Sequence, residues 1–215
     1  MLKIALFFFI ISKEVIILEI KIQYNKNLEL PQEPGGKMQF LWLNNGCEPE
    51  SGFHLCYNEK ALKIRLFSKE HPLFCKATED DGRIWEDNCL EFFFAPFGKS
   101  EPYLNFECNP LGKMIIGMGR DRHERTLLTH RLKPALNLKA SILDDAWAIE
   151  YEIPFAEISA IYQKEYAPKS GSEFFFNAYV CGDEADPPRF GAWSKIDWPE
   201  PDFHRPEFFG KGVFA

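Results

Sequence analysis

The chain reads as an all-β protein, an antiparallel β-sandwich closed by a proline- and aromatic-rich C-terminal strap. Three observations predict this. Side chains alternate in many short runs, turn residues recur roughly every ten residues, and helical periodicity is nearly absent. Strands and helices do not alternate, which argues against a parallel sheet of crossover units. At 215 residues, 46% of them apolar, the chain can bury one sizeable core as a single domain.

Residues 1–22 are the awkward part. One lysine and an apolar run from Ile4 to Ile11 resemble a secretory signal, but Lys13 and Glu14 interrupt the pattern and no small-residue cleavage site follows. A degenerate signal or anchor, a genuine strand and a non-native start remain three open readings. The stretch is too short and too charged for stable membrane insertion. The signal-like opening favours a secreted or cell-envelope location over a cytoplasmic one.

Residues 23–37, with Pro31, Pro34, Gly35 and Gly36, read as a linker, so the folded module is expected over 38–215. Met38–Trp42 suggests a short first strand. FHLCYNEKALKIRLF reads as a hairpin with its tip at Asn58–Lys60, and Leu62, Ile64 and Leu66 point one way. The acidic run Glu79–Asp81 reads as a solvated turn, with Asp80 and Asp81 as weak candidates for structural calcium, since loop carboxylates are its natural ligands. Apart from that possible ion, no cofactor is expected. Further strands are expected at Lys113–Met118, Leu138–Leu143, the stretch ending at Pro154, and Glu173–Gly182. Trp147 falls in phase with a core face, and a single short helix is expected after Pro154.

The most informative stretch is Trp85–Asn109. Two alternating runs flank a loop containing Pro96, Gly98 and Pro102. If they pair as a hairpin, Leu90, Phe92, Phe94, Leu104, Phe106 and Cys108 build core, and the opposite face carries Glu91, Tyr103, Asn105, Glu107 and Asn109. Carboxylates and amides interleaved with aromatic rings suit a polyol. The strap, Asp186–Phe209, carries Trp193 and Trp198 five residues apart, either able to offer a ring to a ligand. Its His204 is expected to order the strap by hydrogen bonding.

The net charge of −7 argues against a nucleic acid partner and leaves neutral sugars open. Six cysteines occur with neither a CxxC pair nor a spaced cysteine–histidine cluster, so the spacing gives no zinc signature.

The stretches IWEDNCLEFFFAP, YLNFECNPLG, WAIEYEIPF, FNAYVCG and GAWSKIDWPEPDFHRPEFFG resemble the family 9 carbohydrate-binding modules, specifically their stand-alone branch, related to the DOMON group. The resemblance covers most of residues 51–210 and implies a β-sandwich that binds sugar without catalysis. It implies glucan or xylan ends as partners, clasped between two tryptophans, and in some members structural calcium. Trp85 matches one clasping tryptophan and Glu91 the carboxylate after it. Trp193, with Trp198 as the alternative, stands for the second, and Asn105, Glu107 and Arg120 resemble polar floor groups. The long PDFHRPEFF ending departs from the characterised module. Elementary chemistry agrees. An indole stacks on the C–H face of a sugar while Glu, Asn and Arg bond its hydroxyl rim. Competition from water keeps single-sugar affinity roughly micromolar to millimolar.

Three rivals follow from the same residues. Glu91 and Glu107 could act as the acid and base of a glycoside hydrolase. Met114, Met118, His123 and His130 could bind haem in an electron carrier, as in DOMON relatives. Exposed aromatics beside polar groups also fit a protein-interaction module with no sugar site.

Overall fold

The computed structural model describes residues 17–42 and 46–215. Strands β1 (Glu19–Tyr24), β2 (Gly36–Lys37), β3 (Gln39–Phe40), β4 (Ser51–Tyr57) and β5 (Ala61–Ser68) come first. The centre holds β6 (Cys89–Ala95), β7 (Tyr103–Cys108), β8 (Met114–Gly119) and β9 (Arg125–Leu127). A helical turn α1 (Thr129–Leu132) leads to β10 (Lys139–Ile142), β11 (Trp147–Pro154), the helix α2 (Phe155–Tyr162) and β12 (Glu173–Gly182). The strap contributes β13 (Arg189–Ala192) and leads into β14 (Gly210–Phe214).

The expected all-β character holds, but the architecture is one curled, partly mixed sheet rather than two separate antiparallel layers. Its order is β10-β11-β5-β4-β1-β14-β12-β6-β7-β8-β9. The join is β1. Its first residues run parallel to β14, with Ile22 opposite Phe214, and its last run parallel to β4, with Gln23 opposite Cys56. A strand that changes partners midway bends the ladder and turns one half of the sheet to face the other. β1 thus makes a strand of Glu19–Tyr24, across the boundary between the doubtful opening and the supposed linker. Residues 1–16, where the signal-like run falls, lie outside the described residues. Among the described residues no helix is long and apolar enough to cross a membrane.

Period-2 alternation builds the core between the halves. Leu62, Ile64 and Leu66 of β5 and Trp147, Ile149, Tyr151 and Ile153 of β11 are all buried. They meet Leu90, Phe92, Phe94, Leu104 and Phe106 from β6 and β7. Phe53 crosses to Phe176 at 5.6 Å, and Phe106 stacks on Tyr151 at 5.7 Å. The β4–β5 hairpin turns at Asn58, whose Oδ1 accepts hydrogen bonds from the Lys60 and Ala61 amides. Helix α2 ends at Gln163, in the left-handed region at φ 51°.

The outer face of β12-β6-β7 is not left to water. The strap crosses it and seals a second apolar cluster of Phe93, Tyr103, Tyr179, Phe203 and Phe209. Tyr179 stacks on Phe203 at 4.1 Å and donates to the Phe203 carbonyl at 3.0 Å. Buried Asn177 fixes the strap's entry through the Ser194 carbonyl at 2.9 Å and the Ser194 amide at 2.8 Å. Buried Arg189 pairs with buried Glu70, whose other oxygen accepts from the Trp147 indole at 2.8 Å. The segment read as a strap, Asp186–Phe209, therefore contains one strand, β13, and β14 follows directly after it.

Trp193 follows Ala192 at the end of β13 and points the other way, into the main core. It stacks on Phe176 at 4.4 Å and is 5% exposed. Glycine at 210 is what admits the ring, since a Cβ there would stand 2.4 Å from Trp193 Cζ3. We expect Trp193→Ala to lower the unfolding free energy by about 3–5 kcal/mol, the usual range for emptying a buried tryptophan site. Urea unfolding followed by circular dichroism measures it, and a loss of under about 1 kcal/mol would show that the ring is not part of the core.

Candidate functional site

On the strap side of the sheet, between the strap and the β8–β9 turn, lies a cleft of about 470 Å³. Its floor is the polar face of the central hairpin. Glu91 stands opposite Glu107 and Phe93 opposite Asn105 in the β6–β7 register, so all three polar side chains share one side. They are not solvated. Glu91 is 3% exposed, Asn105 2% and Glu107 5%, because the strap and the arginines of the β8–β9 turn close over them.

Buried polar groups need partners, and here the partners form a chain. Arg125 donates to Asn105 Oδ1, and Asn105 Nδ2 donates to Glu107 Oε1 at 2.6 Å. Arg125 also donates to the Gly117 carbonyl at 3.2 Å and lies 4.6 Å over the Tyr103 ring. Gly117 makes this possible, since a Cβ there would lie 2.7 Å from Asn105 Oδ1. Arg125 Nε is buried without a partner, leaving one donor of the fork unused. Burial, and then the neighbouring Glu107 charge, raise the Glu91 carboxyl well above its ordinary range. Burial pushes Glu107 up to about 7, opposed by the Asn105 hydrogen bond and the Arg125 charge.

Trp85 forms part of the cleft wall and is half-buried. It sits in the 3-10 turn Ile84–Glu86 just before β6. Its carbonyl accepts from the Asp183 amide at 3.2 Å, tying the turn to the end of β12. The turn is anchored below by buried Asp87, which accepts from the Lys76 amide at 2.7 Å, the Ala77 amide at 3.0 Å and Asn109 Nδ2 at 2.9 Å. Phe190 and Phe203 add apolar wall, and His204 is held by Tyr103 with its Nδ1 2.7 Å from the hydroxyl. His204 thus orders the strap; burial holds its imidazole well below the ordinary pKa.

Trp85, Glu91, Asn105 and Glu107 therefore converge. The other predicted site residues stand elsewhere. Trp193 is in the core, as described. Trp198 does not line the cleft; it is 41% exposed with the Arg205 guanidinium 3.6 Å over its ring. Arg120 turns outward to the Ser100 carbonyl and Glu101, and Arg125 occupies the floor in its place, with Arg122 also lining the cleft. Asp80 accepts from Lys133 Nζ and from the Met114 amide at 2.9 Å, while Asp81 accepts from Thr129. Asp80 is thus paired with a lysine ammonium and Asp81 with a hydroxyl. The haem candidates do not converge either. Met114 is sealed in the main core and Met118 packs against it, whereas His123 and His130 are exposed.

One grouping escaped the sequence reading. Cys89, Glu91 and Cys181 bring one sulfur or oxygen each within 4.8 Å of one another at the cleft floor, a set able to hold a metal ion. The β6–β12 register creates it by placing Cys181 opposite Cys89, which residue spacing cannot show.

A mostly β framework with one aromatic-walled, polar-floored cleft defines a binding module for a small polar ligand. The model of carbohydrate-binding family 9 matches residues 35–214, and the chain belongs to that family. A Bacteroides uniformis protein described as a candidate carbohydrate-binding protein superposes with a TM-score of 0.79 at 25% identity, over 93% of this chain and 100% of that one. A family 9 carbohydrate-binding module from Caldicellulosiruptor kristjanssonii, solved with glucose, gives 0.63 at 13% identity over 92% and 95% of the two chains. Its cellotriose complex gives 0.61 at 13% identity over 91% and 93%. At that identity the likeness is one of fold. A curated Arthroderma benhamiae relative described as an extracellular protein is 25% identical over 187 residues, 78% of this chain and 79% of that one.

Asp87→Ala leaves the part-buried Lys76 and Ala77 amides without their acceptor and removes one of the two acceptors of Asn109 Nδ2. We expect it to cost about 2–3 kcal/mol of stability and to free the Trp85 turn. Equilibrium unfolding together with acrylamide quenching of tryptophan fluorescence tests both effects, and unchanged quenching would contradict the anchoring role.

Proposed function

We propose that the protein binds the sugar units of an oligo- or polysaccharide in this cleft without cleaving them. The observation that carries the reading is the convergence of a half-buried indole, Trp85, with the bonded chain Arg125–Asn105–Glu107 and the Glu91 carboxyl on one floor. Trp85 offers an apolar plate for a ring's C–H face. Glu91 and Glu107 together present carboxyl oxygens for the hydroxyl rim. Arg125 and Arg122, which both line the cleft, supply its cationic groups. Because these groups are already ordered, little side-chain entropy is lost on binding. The cleft holds a short stretch of glycan rather than a long chain laid flat.

Family membership supports the sugar reading, as do the glucose and cellotriose bound by the C. kristjanssonii module. A β-glucan end is the ligand class we favour. The extracellular description of the fungal relative supports a role outside the cell.

Hydrolysis needs an acid and a base on either side of the scissile bond. Glu91 and Glu107 are cross-strand partners, with Cβ atoms about 5 Å apart. Both carboxyls rise from the same side of the hairpin onto the cleft floor. The pair serves recognition.

Isothermal titration with cello-oligosaccharides tests the proposal. Trp85→Ala should weaken binding by about tenfold or more, where one tenfold step is about 1.4 kcal/mol. Trp198→Ala, outside the cleft, should leave affinity within about twofold of wild type, or roughly 0.4 kcal/mol. Unchanged affinity in Trp85→Ala would remove the cleft as the sugar site.

A further inference from the structure

We propose that Cys89, Glu91 and Cys181 form a binding site for a soft divalent metal, with zinc as the best fit, whose fourth coordination position opens into the cleft. The site shares Glu91 with the proposed sugar floor, but the observations that carry it do not depend on the sugar reading.

The sheet builds the group. Residues two apart on one strand share a face, so Cys89 and Glu91 project together from β6. Antiparallel pairing sets Cys181 directly opposite Cys89 on β12, on the same side. Cys108, on the other face of β7, belongs to the main core and cannot join. Cys181 donates to Glu91 Oε1 at 3.0 Å, and all three ligand atoms lie within 4.8 Å. In a tetrahedral zinc site, bonds of about 2.0–2.3 Å place ligand atoms about 3.3–3.8 Å apart. Closing the group around an ion therefore takes side-chain adjustments of about 1 Å.

The donor set selects the metal. Two thiolates and one carboxylate suit zinc, cadmium or cobalt and do not suit calcium, which takes oxygen ligands only. The set also balances charge, since three anionic ligands around a dication leave one net negative charge beside Arg122 and Arg125. Without a metal, a buried carboxyl has a thiol for its bonded partner where an ion pair would be usual. Glu91 and Cys181 both line the cleft while Cys89 is sealed beneath. Three protein ligands with one open side match sites that keep water or a ligand oxygen in the fourth position.

The test uses the full chain, freed of metal by a chelator, kept reduced with a phosphine and titrated with Co²⁺. We expect a stoichiometric thiolate-to-cobalt charge-transfer band with the visible bands of tetrahedral cobalt, both displaced by Zn²⁺. Cys89→Ser and Cys181→Ser, each checked for native circular dichroism, should lose the charge-transfer intensity. Glu91→Gln should keep a weaker band, and Cys47→Ser, outside the group, should keep it in full. No band in the wild-type chain, a band unchanged in both Cys89→Ser and Cys181→Ser, or a Cys89–Cys181 disulfide in the natively folded protein would overturn the assignment.

Discussion

The constraint on which the structure turns is that the central hairpin has both faces covered. One face of β6 and β7 packs into the main core, as any sandwich strand would. The other carries Glu91, Asn105 and Glu107, and the strap lies across its margin. Polar groups in that position must be bonded or neutralised. The Arg125–Asn105–Glu107 chain and the raised carboxyl pKa values of Glu91 and Glu107 are two answers to that single demand. The same demand makes the floor suitable for recognition, because groups already desolvated and ordered need little further reorganisation to meet a ligand.

The strap depends on the hairpin in turn. Its path is set by a few bonds from the sheet below: Asn177 to Ser194, Tyr179 to the Phe203 carbonyl, and Tyr103 to His204. Each donor or acceptor lies on the outer face of β12 or β7. A segment with several prolines has few ladder bonds of its own, so side chains from the sheet supply the register that a ladder would otherwise give. The chain end returns as β14 and pairs with β1, so the strap's far end is fixed within the sheet it crosses.

The parts legible in the sequence are those governed by local period. Alternation in Asp87–Phe94 and Tyr103–Asn109 assigns each residue to the correct face, and Trp147 falls in the core as its phase requires. The parts hidden are those set by distant pairing. β1 and β14 lie at opposite ends of the chain and pair in parallel, which no local pattern reveals, and the glycines of GKGVF disguise a strand. β9 has three residues, too few for alternation to register. Arg120, Arg122 and Arg125 lie within six positions, and only the turn between β8 and β9 decides that Arg125 reaches Asn105. Trp193 and Trp198 are alike in sequence; the strand β13 before Trp193 is what directs it inward. Cys89 and Cys181 are 92 positions apart and meet only through the β6–β12 register.

The most direct test of the central claim is a crystal structure of the chain grown with a short β-glucan oligosaccharide. The account predicts a sugar ring against the Trp85 indole, with hydroxyls bonded to Glu91, Glu107 or Arg125 and the strap unmoved. A sugar lying on Trp198, or elsewhere on the surface with the cleft free of it, would contradict the account.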